Sequence, residues 1–196
     1  MEKKEFTITI YTENSIGIIG KISNIFSRRK LNIESLNASP SEVENIHRFT
    51  LVLNENQEVI EKLCKQIEKQ IDVLKVYFNT SDEIIWQEQA LFKVPTQTII
   101  EKASVERLFR QYGANAVVIR QDFTVFETSG HREEINALTE ALTPYNLIEF
   151  VRSGRIAIIK ESKGFHTKLK EFERQAPGKA PIENEYLEKR QDIFTI

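Results

Sequence analysis

Thr12 to Leu36 reads TENSIGIIGKISNIFSRRKLNIESL, and the parsing of the whole chain turns on this stretch. An Asn and a Gly stand at a turn, a helix-spaced apolar stripe follows, and a second Asn opens a new extended segment. Ile18, Ile19, Ile22, Ile25 and Phe26 recur at helical spacing, while Arg28, Arg29 and Lys30 put positive charge in the last turn, where the helix dipole favours it. A short loop feeding a helix leaves several backbone N–H groups without intrahelical partners. With the positive end of the dipole, those groups attract a small carboxylate. The stretch holds no catalytic group, so the function it suggests is sensing a small molecule.

Upstream, Phe6, Ile8 and Ile10 alternate with Thr7 and Thr9, the period of a strand with one buried face. Downstream, Leu31 to Leu36 reads as a second strand closed by Ala38 to Ser41, and His47 to Leu53 as a third. Asn54 can cap a helix striped by Val59, Ile60, Leu63, Cys64 and Ile67, after which Ile71 to Phe78 is a fourth strand. The order strand, helix, strand, strand, helix, strand is a split βαβ arrangement. It then repeats. A strand at Leu91 to Val94, starting as early as Ile84, leads to a helix with Val105, Leu108, Phe109 and Tyr112 on one face and Gly113 at its end. Ala116 to Ile119 and Phe123 to Phe126 are short strands, and Ile135, Leu138 and Leu142 stripe a helix ending before Pro144. Leu147 to Val151 and Ile156 to Ile159 are strands around the turn Arg152-Ser153-Gly154-Arg155.

The expected fold is therefore α+β, two ferredoxin-like (βαββαβ) sandwich domains in tandem, over residues 1–80 and 81–160. A charged tail follows over 161–196, broken by Gly164, Pro177, Gly178 and Pro181, with helical pieces around 165–172 and 182–189.

Composition narrows the function. With 196 residues and 40% hydrophobic content the chain can bury one or two modest cores. Lys plus Arg number 27 against 29 Asp plus Glu, so no summed positive field argues for nucleic acid or an anionic membrane. A single cysteine, Cys64, excludes an internal disulfide and reads as a core residue. No apolar run approaches the ~20 residues of a membrane span, and the expectation is a cytoplasmic protein. His47, His131 and His166 have no metal-ligand spacing, and no GxSxG, P-loop or GxGxxG is present. Glu133 with Glu134, and Glu171 with Glu173, read as solvated surface. The GxxG of Gly17-Ile18-Ile19-Gly20 has apolar central residues that its own helix uses, which argues against an RNA-binding KH loop. No catalytic residue and no metal site are expected.

TENSIGIIGKISNIFSRRKLNIESLNASPSE strongly resembles the N-terminal ACT domain of the small regulatory subunit of acetohydroxyacid synthase, also called acetolactate synthase. Thr128-Ser129-Gly130 before a helix, and the run Glu149-Phe150-Val151-Arg152-Ser153-Gly154-Arg155-Ile156-Ala157, resemble the C-terminal domain of that family. The resemblance spans residues 5–160. It implies a non-catalytic subunit that binds a catalytic (large) subunit, raises its activity and confers feedback inhibition by a branched-chain amino acid, usually valine. Thiamine diphosphate, Mg and FAD are then expected on the catalytic subunit, with no cofactor on this chain. It also implies a homodimer through the ACT domains, with the effector at their interface.

Carried over by position, the effector site would comprise Asn14, Ser15, Ile16, Gly17 and Ile18 from the loop, completed by Asn32 and Ile33 from the strand of the facing subunit. From the residues alone, Asn14 also reads as a helix cap, Gly17 as a turn residue and Asn32 as a polar edge residue. The chain departs from the family at Lys30, where a Gly C-cap is usual, and at Lys21 and Asn24, where Arg and Gly are common. Lys30 would have to accept a left-handed conformation or end the helix differently. The alternative function is a free-standing tandem ACT-like amino-acid sensor acting in transcription or signalling.

Overall fold

The alternation centred on Phe6, Ile8 and Ile10 forms a strand, β1 (Lys4–Glu13), with these residues and Thr12 on its buried face. The computed structural model describes residues 2–43 and 45–161. The two charged helical pieces around 165–172 and 182–189, and the tail beyond residue 161, fall outside them. The chain divides into two compact units, one running to Ile85 and resuming at Ile158, the other Trp86–Ala157.

In the first unit, β1 is followed by α1 (Ile18–Arg28), β2 (Ser35–Pro40), β3 (Ile46–Glu55), α2 (Gln57–Ile67) and β4 (Val73–Thr80). The sheet is antiparallel with strand order β2-β3-β1-β4. Ile18, Ile22, Ile25 and Phe26 of α1 and Ile60, Leu63, Cys64 and Ile67 of α2 pack on Ile8, Ile10, Phe49, Leu51 and Leu53 of the sheet. Each such side chain withdrawn from water contributes roughly 1.5–3 kcal/mol. Burial pushes the Cys64 thiol up to about 12, with the Glu68 carboxylate adding to it. Since the folded value is raised above the ordinary one, this group's contribution is complete below about pH 9 and is lost as pH rises towards 12. We expect native Cys64 to resist Ellman's reagent at neutral pH and to react promptly in denaturant; prompt reaction in the native state would contradict its burial.

The strand expected from Leu31 begins only at Ser35, so Asn32 and Ile33 lie in the loop before β2 rather than in a strand. The cause is the end of α1. Lys30 takes φ 54, its N–H bonds to the Ser27 carbonyl at 3.0 Å, and the Leu31 N–H bonds to the Phe26 carbonyl at 3.1 Å. That is a Schellman closure, with Leu31 packed against the core cluster that contains Phe26. The motif consumes the residues that the apolar pattern assigned to a strand. Lys30→Gly is expected to raise stability by about 0.5–1 kcal/mol, read as a higher urea midpoint, because a left-handed Lys carries a Cβ penalty that Gly lacks. An unchanged or lower midpoint would count against it.

Asn54 does not cap α2 but sits inside β3; the cap position is Asn56, without a side-chain cap bond.

The chain from Ile84 to Ile159 repeats the order. β5 (Ile84–Pro95) leads to α3 (Thr96–Glu101), α4 (Ala103–Gln111), β6 (Asn115–Ile119), β7 (Phe123–Gly130), α5 (Arg132–Leu142), β8 (Glu149–Arg152) and β9 (Ile156–Ile159). Its strand order, β6-β7-β5-β8, corresponds position for position to that of the first unit. The fold is thus two ferredoxin-like βαββαβ sandwiches in tandem. The core joins Phe92 and Val94 to Val105 and Phe109 of α4 and Ile135, Leu138 and Leu142 of α5. Gly113, at φ 63, closes α4 as Lys30 closes α1, with its N–H on the Arg110 carbonyl and that of Ala114 on Phe109.

Two expectations need correction here. The helix carrying Val105 is preceded by a separate short helix, α3. And Arg152 to Arg155 does not reverse the chain between two paired strands, because β8 and β9 both pair with β5. Ser153 N–H bonds to the Gln89 carbonyl within β5, and Lys160 N–H, just past β9, to that of Glu83, just before β5. The Ser-Gly-Arg run is an interruption in one continuing edge.

Candidate functional site

The loop after β1 is fixed from both sides before α1 begins. Glu13 N–H bonds to the Asp72 carbonyl and Asn14 N–H to that of Asn45, each at 2.9 Å. The Asp72 carboxylate also takes Lys21 Nζ of α1 at 2.5 Å, tying the first turns of the helix to the same anchor. Asn45 supplies its carbonyl from a left-handed turn at φ 60, a conformation that Asn accepts more readily than most residues. Neither Asn45 nor Asp72 was found by sequence reasoning. Both act through backbone bonds to residues far along the chain, which local patterning does not register.

Gly17 is the N-cap of α1, at φ 83 and ψ 1, and no side chain caps the helix. Asn14 therefore does not act as the cap. The first turn carries no acidic residue, so the positive end of the helix is uncompensated from within. A Cβ built on Gly17 would meet nothing within 4 Å, so the space beside it is open. Ser15 lies half-buried, and its Oγ is shielded from solvent without a hydrogen-bond partner. Asn14 is exposed, and Ile16 at 104% is fully so. Ile18 turns the other way, its side chain in the core, leaving only its backbone to the loop; its N–H lies 3.4 Å from the Ser15 carbonyl. Ile19, half-exposed, adds a second apolar group beside Ile16. The arrangement offers amides, a hydroxyl and apolar side chains.

Asn32 and Ile33 are not part of this cluster within one chain. Ser35 stands opposite Val52, and Val52 opposite Thr7, so the entry to β2 is level with the beginning of β1. Asn14 follows seven residues after Thr7, about 23 Å further along the strand direction at ~3.3 Å per residue. Asn32 is exposed and donates from Nδ2 to Glu34 Oε1 at 2.8 Å, while Ile33 packs against the first core. In a single chain, the loop and Asn32 thus occupy opposite ends of the unit.

Among the described residues, no group of three or more His, Cys, Asp or Glu could hold a metal ion. No helix among them is long and apolar enough to cross a membrane.

Comparison with known proteins bears on both units. Residues 8–75 match the family model described as the AHAS small subunit-like ACT domain, and residues 87–161 that of the small subunit of acetolactate synthase. A Bacillus subtilis protein named acetolactate synthase small subunit is 33% identical over 154 residues, covering 78% of this chain and 89% of the relative. An Archaeoglobus fulgidus protein, named probable acetolactate synthase small subunit, is 28% identical over 80% of this chain and 98% of its own length. The fold is similar to the crystal structure of the acetolactate synthase small subunit from Thermotoga maritima, with a TM-score of 0.74 at 24% identity over 81% of this chain and 99% of that one.

Proposed function

The chain belongs to the acetolactate synthase small-subunit family, and from that premise we propose that it activates the catalytic subunit and makes it subject to feedback inhibition by a branched-chain amino acid, valine foremost. It is a regulatory, non-catalytic subunit of the synthase. The thiamine diphosphate, Mg and FAD chemistry belongs to the catalytic partner, and the assembly works in the cytoplasm.

The observation that carries the effector site is the uncapped first turn of α1 beside the orphaned Ser15 Oγ. A shielded hydroxyl without a partner costs about 1–3 kcal/mol, and a bound carboxylate would recover it. The α-carboxylate sits on the amide at Gly17 and on Ser15 Oγ, and Asn14 bonds the amino acid from the loop. Ile16 and Ile19 offer the apolar side-chain contacts.

A second copy completes the site. Among the described residues, β2 pairs only with β3, which leaves its other edge available. Antiparallel pairing of two β2 strands about a two-fold axis reverses strand direction between copies. The Asn32 end of one chain then comes level with the Asn14 end of its partner, which is the juxtaposition that one chain does not provide.

The function is tested by assaying acetolactate formation for the chain alone, the catalytic subunit alone and the mixture, with and without valine. No activity alone, stimulation on mixing and valine inhibition of the mixture are expected. Absence of association and stimulation would refute the activating role.

A further inference from the structure

The second unit contains a buried ion cluster that the effector site does not use. Ile84, Trp86, Ala90, Phe92 and Val94 fill the inward positions of β5, and Glu88 stands in the middle of that row, 1% exposed. Its carboxylate lies between two guanidinium groups. Arg132, the first residue of α5, donates from Nη2 to Glu88 Oε1 at 3.0 Å. Arg152, the last residue of β8, brings Nε to 3.1 Å from Oε2, an ion-pair distance outside hydrogen-bond geometry. Arg152 also donates from Nη1 to Asn136 Oδ1 at 2.7 Å. Beside them Arg155, 1% exposed, lays its guanidinium 3.5 Å from the centre of the Trp86 ring, which His131 meets edge-on.

Stability alone is a poor reason for such a cluster. Taking several charges out of water is costly, and replacing a buried ion group by apolar residues of similar volume is often neutral or stabilising. The segment it holds is an irregular one, the Arg152-Ser153-Gly154-Arg155 interruption between β8 and β9. There Ser153 Oγ takes the Gln89 N–H at 3.0 Å while the Ser153 N–H bonds back to the Gln89 carbonyl at 2.8 Å. The result is an Arg152 whose inner side is fixed by Glu88 and Asn136 and whose side chain is still 26% exposed. Glu88 and Asn136 meet its Nε and Nη1 and not its Nη2, and a guanidinium is a group that matches a carboxylate. The Glu88 carboxylate is thus shared between the two guanidinium groups, and Arg152 is the one of the pair at the interrupted edge.

We propose that this cluster is where the second unit grips an acidic side chain of the catalytic subunit, with Arg152 as the contacting residue and Glu88 as the residue that positions it. The inference rests on the reading of the chain as a subunit that binds the synthase, and its test separates the two.

The full chain is titrated into the catalytic subunit at low and high salt, reading stimulation of acetolactate formation and the apparent Kd. Thermal melting and calorimetric valine binding are followed in parallel. For Arg152→Gln we expect a Kd raised at least tenfold, a weaker salt dependence than wild type, and unchanged valine binding. For the combined Glu88→Met, Arg132→Met, Arg152→Met variant we expect the same loss with a melting midpoint no lower than wild type. A merely structural cluster would give the opposite: association falling only where the fold is lost. Wild-type Kd and salt dependence in a folded variant would overturn the proposal. If the triple variant fails to fold, Arg152→Gln decides on the same terms. If the wild-type chain itself does not associate, the subunit reading and this inference fall together.

Discussion

Gly17→Asp is expected to abolish effector inhibition while leaving association with the catalytic subunit intact. Gly17 holds φ 83, so any Cβ there is strained, by roughly 1–2 kcal/mol for an L-residue in the left-handed region. The space around it is open, however, and no atom within 4 Å would clash. The fold should therefore tolerate the change. The ligand should not, since two like charges about 4 Å apart repel by ~4 kcal/mol at an effective dielectric of ~20. That is close to a thousandfold in Kd. Gly17→Ala separates the two effects, because it carries the strain without the charge. Calorimetry with valine checks the pair: strong binding loss for Asp and a modest one for Ala is the expected order. Unchanged binding in Gly17→Asp would move the site elsewhere.

The second large effect is structural. Phe92, completely buried, stacks at a tilt on Phe150 with centroids 5.0 Å apart and meets Phe109 edge-on at 6.3 Å. Phe109 in turn stacks on Phe126 at 3.8 Å, so one ring on β5 joins α4, β7 and β8. Phe92→Ala is expected to destabilise the second unit by about 3–5 kcal/mol, the usual range for deleting a buried aromatic ring. Urea unfolding followed through Trp86, the one tryptophan and a residue of that unit, reads it directly. A loss under about 1 kcal/mol would mean that the surrounding rings collapse into the space.

Much of the fold was legible because period-two and helical stripes are local. Phe6, Ile8 and Ile10, then Ile22, Ile25 and Phe26, specify their faces without reference to distant residues. The repeat of the order in the second half followed from the same signal. What was not legible depends on partners far along the chain. Leu31 reads as strand because it is apolar, but the left-handed Lys30 turns it back onto Phe26 as part of a helix closure. Ser153 and Gly154 look like a hairpin turn in isolation, and only the shared partner β5 shows that the chain continues along one edge. Glu88 between two Gln residues looks like surface; the inward parity of β5 and two arginines from 44 and 64 residues away bury it.

The loop Asn14 to Ile18 stands out in the sequence as a candidate because the Asn, the Gly and the stripe are contiguous. Its anchors, Asn45 and Asp72, do not. That the site is shared between two chains is an expectation from the family resemblance; within one chain the register keeps Asn32 at the far end of the unit from Asn14.

The claim that one effector site is built from two chains is tested most directly by complementation. Asn14→Ala and Asn32→Ala chains are each expected to lose effector binding. A chain altered at Asn14 keeps Asn32, and the reverse, so a mixed dimer contains one intact site and one doubly altered site. After unfolding and refolding the two variants together, random pairing should restore about a quarter of the wild-type sites, counted by calorimetric titration with valine. Recovery of that fraction on mixing is the predicted result. Full binding by either variant alone, or none after verified re-pairing, would contradict the account.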